Sequence, residues 1–234
     1  MEQHLKPLSK DGDWTPYSLS LTDQIYFRIK ELIFKQEIVP GQKLQHDYLS
    51  EKLGVSTTPV REAINRLVQE GYVKSVARRG YYLNEITIDE ADELYSFRET
   101  LEIYAIEKAS TIADDTLITD LKEIAKKYYE AVNKPISMER LRVDQEFHLR
   151  IAEACGNRFI ATTLETTFER LILKRSLEGF PQRGKKVYKE HEMIVDCIVK
   201  HDVGGARELM RQHIRQGRHN LIFYLQKRKE GENQ

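Results

Sequence analysis

Downstream of Glu85 the apolar residues recur every three or four positions through six successive segments. That period places them on one stripe of a helix. Helices are predicted at 87–112, 114–132, 137–155, 157–178, 185–200 and 203–228. The breaks fall at Asn133-Lys134-Pro135, Gly156-Asn157, Gly179-Phe180-Pro181 and Gly204-Gly205. Stripes on helices joined by such short connections can be buried only against one another, which predicts an antiparallel bundle of about six helices. Thr87 followed by Glu90 has the capping-box pattern that opens the first of them.

Before Glu85 the pattern is mixed. A helix is expected from about Leu19 to Lys35, with Ile25, Ile29, Leu32 and Ile33 as its stripe, ended by Pro40-Gly41. A short helix follows over Gln45–Leu53, with Gly54 at its C-cap. Ser56 suits the N-cap of a third helix running to Glu70, and Pro59 falls in its first turn, where a missing N–H costs little. Tyr72–Val76 and Tyr81–Glu85 are β-rich runs joined by Ala77-Arg78-Arg79-Gly80, a plausible hairpin. The fold class expected is therefore mainly α: a winged helix-turn-helix over 18–85 and a helical bundle over 86–229. Residues 1–17 read as a flexible arm and 230–234 as a disordered tail.

A chain of 234 residues suffices for two modest domains, and 32% charged against 40% apolar residues fits helices with large solvated faces. The formal charge is zero. Up to Asn84 there are 12 Lys/Arg against 10 Asp/Glu, and beyond it 25 against 27. This balance permits DNA binding without demonstrating it. Cys155 and Cys197 lie in apolar helical patterns, so buried free thiols in a reducing cytoplasm are expected. Neither a signal peptide nor an apolar run of membrane-spanning length is recognisable, which predicts a soluble protein with no membrane partner.

On the third helix, Val60, Ile64, Leu67 and Val68 share one face, and Thr57, Thr58, Arg61 and Asn65 share the other. A recognition helix needs this division, with Arg suited to guanine, Asn to adenine, and hydroxyls and the helix N-terminus to phosphate. Arg78, Arg79 and Gly80 form the hairpin tip, from which the arginines could reach the DNA backbone or minor groove. An ordinary amphipathic surface helix would show the same periodicity. The run Tyr48-Leu49-Ser50-Glu51-Lys52-Leu53-Gly54-Val55-Ser56, then Thr58-Pro59-Val60-Arg61-Glu62-Ala63-Ile64, Leu67, Glu70-Gly71 and Arg79-Gly80, closely resembles the GntR family of bacterial regulators. The sequence departs from the family at Thr57, where many relatives carry a DNA-contacting Arg, and at Asp47, where some are basic.

Four polar residues interrupt apolar stripes of the bundle. Asp144 and His148, four apart, project from one helix face among Leu141, Ile151 and Cys155. His191 interrupts Val187, Ile194 and Ile198, and His213 lies with Ala206, Met210 and Asn220. A single inward His is ordinarily a hydrogen-bonded core residue. Three of them and a carboxylate at one level of a bundle are better satisfied by one divalent ion, Zn²⁺ or Ni²⁺ first, Mn²⁺ or Fe²⁺ after them. Arg98 interrupts Leu94, Leu101 and Ala105, either as a salt bridge to Glu102 or as a clamp for a ligand carboxylate. Asn220 could face the same cavity, whereas His4, His46, His201 and His219 read as surface residues.

The Asp144-x₃-His148 spacing, His191, His213 and Phe97-Arg98-Glu99-Thr100-Leu101-Glu102 resemble the FCD effector domain of the FadR-type GntR subfamily, extending the likeness to residues 18–228. The resemblance implies a homodimeric, metal-containing repressor that binds palindromic double-stranded operator DNA. It further implies that a small organic acid completes the metal's coordination and alters DNA affinity. Because the acyl-CoA-binding member lacks this metal set, the resemblance argues against an acyl-CoA effector. Two other readings remain at this stage. One is a metal-dependent enzyme acting on a small carboxylate, with Glu102 the one nameable base; the other is a regulator whose metal is purely structural.

Overall fold

The computed structural model describes residues 19–132, 136–177 and 183–231. Helix α1 (Leu21–Phe34) starts where the Ser20 hydroxyl accepts the Asp23 N–H. Strand β1 (Lys43–Leu44) then leads into α2 (His46–Leu53), which Gly54 ends in the left-handed conformation at φ 68°. Helix α3 (Thr57–Gln69) is followed by β2 (Val73–Val76) and β3 (Gly80–Leu83). The strands pair antiparallel in the order β1-β3-β2, with Leu44 opposite Tyr81 and Val76 opposite Gly80. The hairpin was expected; β1 was not, because two residues are too few to show an alternating pattern. Ser56 takes the extended N-cap backbone, but its hydroxyl makes no capping bond.

The bundle comprises α4 (Ile88–Ile112), α5 (Asp115–Val132), α6 (Met138–Ala154), α7 (Arg158–Leu173), α8 (Gly184–Val199) and α9 (Val203–Gly231). Local chemistry sets most of the starts: Ser137 caps α6 through the Arg140 N–H, and Asn157 caps α7 through the Phe159 N–H. The expected capping box at α4 is only half formed. Thr87 accepts the Glu90 N–H at 3.1 Å, but the Glu90 carboxylate turns to the Lys174 ammonium instead of returning to the cap.

Several expected boundaries move. Helix α7 stops at Leu173 rather than near residue 178, since the Lys174 carbonyl is taken by the Ile86 N–H. Gly204 and Gly205 are not a break but the first turn of α9; the break is at His201-Asp202. Asp202 Oδ1 accepts the Gly205 N–H at 2.9 Å, and a Cβ on Gly205 would come within 2.2 Å of the same carboxylate. Helix α9 also runs to Gly231, so Glu230 and Gly231 are helical rather than disordered. The 1–17 arm, Asn133-Lys134-Pro135, Gly179-Phe180-Pro181 and 232–234 lie outside the described residues. Cys155 is buried as expected, but Cys197 is only partly so. His46 is half-buried against the Tyr81 ring rather than on the surface.

Two apolar cores result. One gathers Ile25, Ile29, Ile33, Leu49, Val60, Ile64, Leu67 and Leu83 beneath α1, α3 and the sheet. The other joins Ile106, Leu121, Phe147, Ile151, Leu164, Ile194, Ile198, Met210 and Leu221 inside the bundle. Burying each such side chain contributes about 1.5–3 kcal/mol. Met138, Ile172 and Leu173 of the bundle helices belong to the first core, so the two halves share a packed seam. Among the described residues no helix is long and apolar enough to cross a membrane.

Replacing Asp202 with Ala is expected to cost about 1 kcal/mol through loss of the α9 cap, lowering the thermal midpoint by roughly 2–4 °C for a chain of this size. A midpoint unchanged in differential scanning calorimetry would show that the cap adds nothing.

Candidate functional site

The i,i+4 spacing puts Asp144 and His148 on the same face of α6, facing α8 and α9, where His191 and His213 point back. One ligand atom from each of the four lies within 4.8 Å of all the others. His148 and His191 are all but completely buried and His213 is 7% exposed, while Asp144 is half-buried at the edge. Phe147 stacks on His191 with ring centroids 4.0 Å apart, and Phe168 lies beside His148.

Two carboxylates orient the rings from behind. His148 Nδ1 lies 2.5 Å from Glu102 Oε2 on α4, and His213 Nδ1 lies 2.8 Å from Glu190 Oε2 on α8. A proton on His213 Nδ1, facing Glu190, leaves its Nε2 with a free lone pair, whereas His148 Nδ1 and Glu102 Oε2, though close, are outside hydrogen-bond geometry. The two Nε2 atoms face each other at 3.2 Å. The His213 lone pair needs a partner there, either a proton on the His148 ring or a metal ion. Burial disfavours charge on Glu102, but Arg98 and His148 outweigh it and hold its carboxyl down at about 2. Glu190 follows the same logic: burial opposes its charge, yet His213 and Arg183 lower its pKa.

Among the described residues, His191 has no carboxylate directly behind it. Both of its ring nitrogens are buried without a hydrogen-bond partner among the described residues, as is Asp144 Oδ1, 3.4 Å from His191 Nε2 and outside hydrogen-bond geometry. Burial, then the neighbouring His213 and His148, push the His191 pKa well below 6.5 and keep the ring neutral. Orphaned buried polar atoms cost free energy. A divalent ion would satisfy them together, and carboxylate-backed imidazoles are the usual support for one. Ligand atoms about 2.1 Å from one ion lie roughly 3–4 Å apart, so drawing the set onto a metal takes shifts of roughly an ångström or less. The residues present therefore fit a divalent ion.

Arg98 does form the salt bridge to Glu102, at 2.7 Å and fully buried, and its guanidinium covers the Phe168 ring. It also lines a cavity of about 80 Å³ that opens beside Asp144 and His213. Asn220 lines the same cavity, its Oδ1 accepting from Gln216. Sequence reasoning missed Arg140, Arg175 and Arg183 on these walls. Arg140, four residues before Asp144, carried a helical signal that could have found it. Arg175 and Arg183 lie off the helices and carried none. Glu190 was missed because the residue next to an inward His reads as solvated.

At the other end, Thr58, Arg61 and Asn65 are exposed on α3 while Pro59, Val60, Ala63, Ile64 and Leu67 are buried; Thr57, in its first turn, is half-exposed. Val68, expected on the buried face, is only partly covered. Asn65 Oδ1 accepts from the Tyr81 hydroxyl, tying the helix to the wing. Arg78 and Arg79 are exposed at the wing tip, Arg78 in the left-handed region at φ 62°. Gly80 has φ 100°, and a Cβ there would crowd Lys43, so the tip needs glycine.

A winged helix-turn-helix joined to a six-helix bundle is an architecture of transcription regulators. Residues 21–83 match the model of the bacterial regulatory proteins of the gntR family, and residues 93–216 match the FCD domain. The chain belongs to the GntR family, in its FCD-containing, FadR-type branch. It is 28% identical over 218 residues to the uncharacterized HTH-type transcriptional regulator YdhC of Bacillus subtilis, covering 92% of this chain and 96% of the relative. It is 26% identical over 202 residues to the HTH-type transcriptional repressor GlaR of Escherichia coli, covering 81% and 90%. The solved structure of E. coli McbR/YncC shares the fold, with a TM-score of 0.74 at 24% identity over 90% of this chain and 99% of that one.

The neutral, buried His191 has a pH consequence. Its folded pKa lies below the unfolded 6.5, so the stability it supports is present above that pH and lost as the pH falls from about 6.5 towards the folded value. Metal-free protein should therefore lose thermal stability on acidification below pH 6.5, and His191→Phe should flatten that slope. Equal slopes in wild type and variant would mean that His191 is not held neutral.

Proposed function

We propose that this protein is a metal-containing, ligand-responsive repressor whose operator affinity is altered by a small organic acid. Residues 18–85 would form the DNA-reading domain and 86–229 the effector domain. The observation that carries the metal is the pair of facing Nε2 atoms of His148 and His213, beside the unsatisfied His191 and Asp144 atoms. Asp144, His148, His191 and His213 would hold one divalent ion, with Zn²⁺ or Ni²⁺ suited to three imidazoles and a carboxylate and Mn²⁺ or Fe²⁺ also compatible. When bound, the ion would supply a net positive centre for an acid. Arg98 and Asn220 would line the effector's place.

Thr57, Thr58, Arg61 and Asn65 would enter the major groove, with Arg78, Arg79 and Gly80 approaching the backbone or minor groove at the wing. A homodimer would match a palindromic double-stranded operator. That GlaR is described as a repressor supports the direction of control.

Elemental analysis should find about one divalent metal per chain, and His191→Ala should lose it along with thermal stability, because binding energy is partly folding energy. Full occupancy in that variant would sink the four-ligand model.

Arg61→Ala should weaken binding to an operator fragment by about 1–3 kcal/mol, roughly five- to a hundredfold. Unchanged affinity in titrations of the folded variant would remove Arg61 from the interface.

A further inference from the structure

The polar residues of α3 divide by what they already hold. Glu62 accepts from the Thr22 hydroxyl at 2.7 Å, and Arg66 pairs with Asp23 and Glu70, each at 2.9 Å. Both are thus tied to α1 or to the end of α3 itself. Thr58 and Arg61 stand exposed on the opposite side. Asn65 shares their face and is equally exposed, but its Oδ1 accepts from the Tyr81 hydroxyl of β3 at 3.2 Å. One end of its amide is committed to the wing, leaving the Nδ2 hydrogens for a partner outside.

Tyr81 is not a loose donor. It lies on the middle strand of the sheet, opposite Leu44 on β1 and Ser75 on β2. Its ring packs on the core of the N-terminal half and meets the His46 ring edge to face, with centroids 5.1 Å apart. Two strands and the first residue of α2 therefore hold the hydroxyl where it stands. The Asn65 amide can leave it only by turning out into water. On DNA that escape closes, because docking expels water and a hydroxyl left without a partner is then costlier than in the free protein.

Asparagine pairs with adenine through both ends of its amide, the oxygen accepting from N6 and the nitrogen donating to N7. With Oδ1 taken, that pairing loses its acceptor half, and the adenine N6 donor would face another donor. Guanine presents O6 and N7 in the major groove, and thymine O4, acceptors with no donor beside them. We propose that Tyr81 sets the base preference of the recognition helix, by holding Asn65 as a donor-only reader that selects guanine or thymine and rejects adenine. Tyr81 is the positioning residue and touches no base; Asn65 makes the contact. The proposal rests on the DNA-reading role given to α3 above, and it replaces the adenine expected from the residue type alone.

The test is selection of DNA from a random pool by full-length protein, repeated for Asn65→Ala, Tyr81→Phe and Arg61→Ala, then titration of duplexes differing at one base pair. The wild type should show one position of guanine or thymine that Asn65→Ala no longer selects. Its preference over adenine there should be about fivefold or more, the low end for a single base contact. Tyr81→Phe removes only the hydroxyl and keeps the ring on His46. It should lower that preference below twofold or reverse it towards adenine, while the positions that depend on Arg61 keep their bases. Adenine at the Asn65-dependent position of the wild type would overturn the proposal. So would a Tyr81→Phe variant that keeps the wild-type motif, whether at full affinity or with all sequences weakened alike, as a purely structural wing contact would give. If Asn65→Ala keeps every base and weakens all sequences equally, Asn65 meets phosphate, and the proposal fails while the recognition helix stands. If the wild type enriches no sequence, the DNA-reading role of α3 fails and the proposal with it.

Discussion

The bundle depends on a polar centre that it must keep dry. His148, His191 and His213 bring six ring nitrogens into an apolar core. Each has to be matched or carry a desolvation cost of a few kcal/mol. The fold meets part of that demand with Glu102 and Glu190, which fix two rings from behind, and in turn must neutralise those carboxylates with Arg98 and Arg183. The result is a chain of charges running through α4, α6, α8 and α9. Removing a single member would leave a buried partner uncompensated, which is costlier than never having built the pair. The apolar walls, Phe147 against His191 and Phe168 against Arg98 and His148, exclude water and so strengthen every interaction inside.

The same network explains why the two halves are not independent. Helix α4 starts one turn after the wing and carries Arg98 and Glu102 three turns further on, so the polar centre and the DNA-reading half share one rigid element. The end of α7 adds a second link. Tyr72 donates to Glu169 and Arg170 to the Glu70 carbonyl, both joining the N-terminal half to the bundle, while Lys174 ties the end of α7 to Glu90 at the entry of α4. Two separate elements bridging one seam restrict the motions available there.

Legibility from sequence followed periodicity. Helices α1, α3 and α4–α9 were readable because each presents several turns of one face. The convergence of Asp144, His148, His191 and His213 was readable because each interrupts such a face. Arg98 was legible as a residue, though not which partner it would choose. What escaped lies where no period exists. Strand β1 is two residues long, α7 ends because its next carbonyl is claimed from elsewhere in the chain, and Arg175 and Arg183 reach the cavity from non-helical backbone. Glu190 escaped for a different reason: its partner His213 is 23 residues away on another helix, and only the packing of α8 on α9 makes the pair.

The zero net charge was the least informative property of the sequence, and the structure shows why. Charges separated by more than about 8–10 Å barely sense one another at physiological salt. A surface is therefore read locally, and a sum over 74 ionisable acidic and basic residues, 37 of each sign, says nothing about any one face. Arg61 on α3, Lys74 on β2, and Arg78 and Arg79 at the wing tip are all exposed within the N-terminal half. The surplus acids lie in the bundle, where Glu99, Glu107 and Asp92 pair with arginines of α9. The balance of the whole chain is thus set by helix-to-helix pairs that stabilise the bundle, and it hides a cationic edge on the half that matches the GntR model.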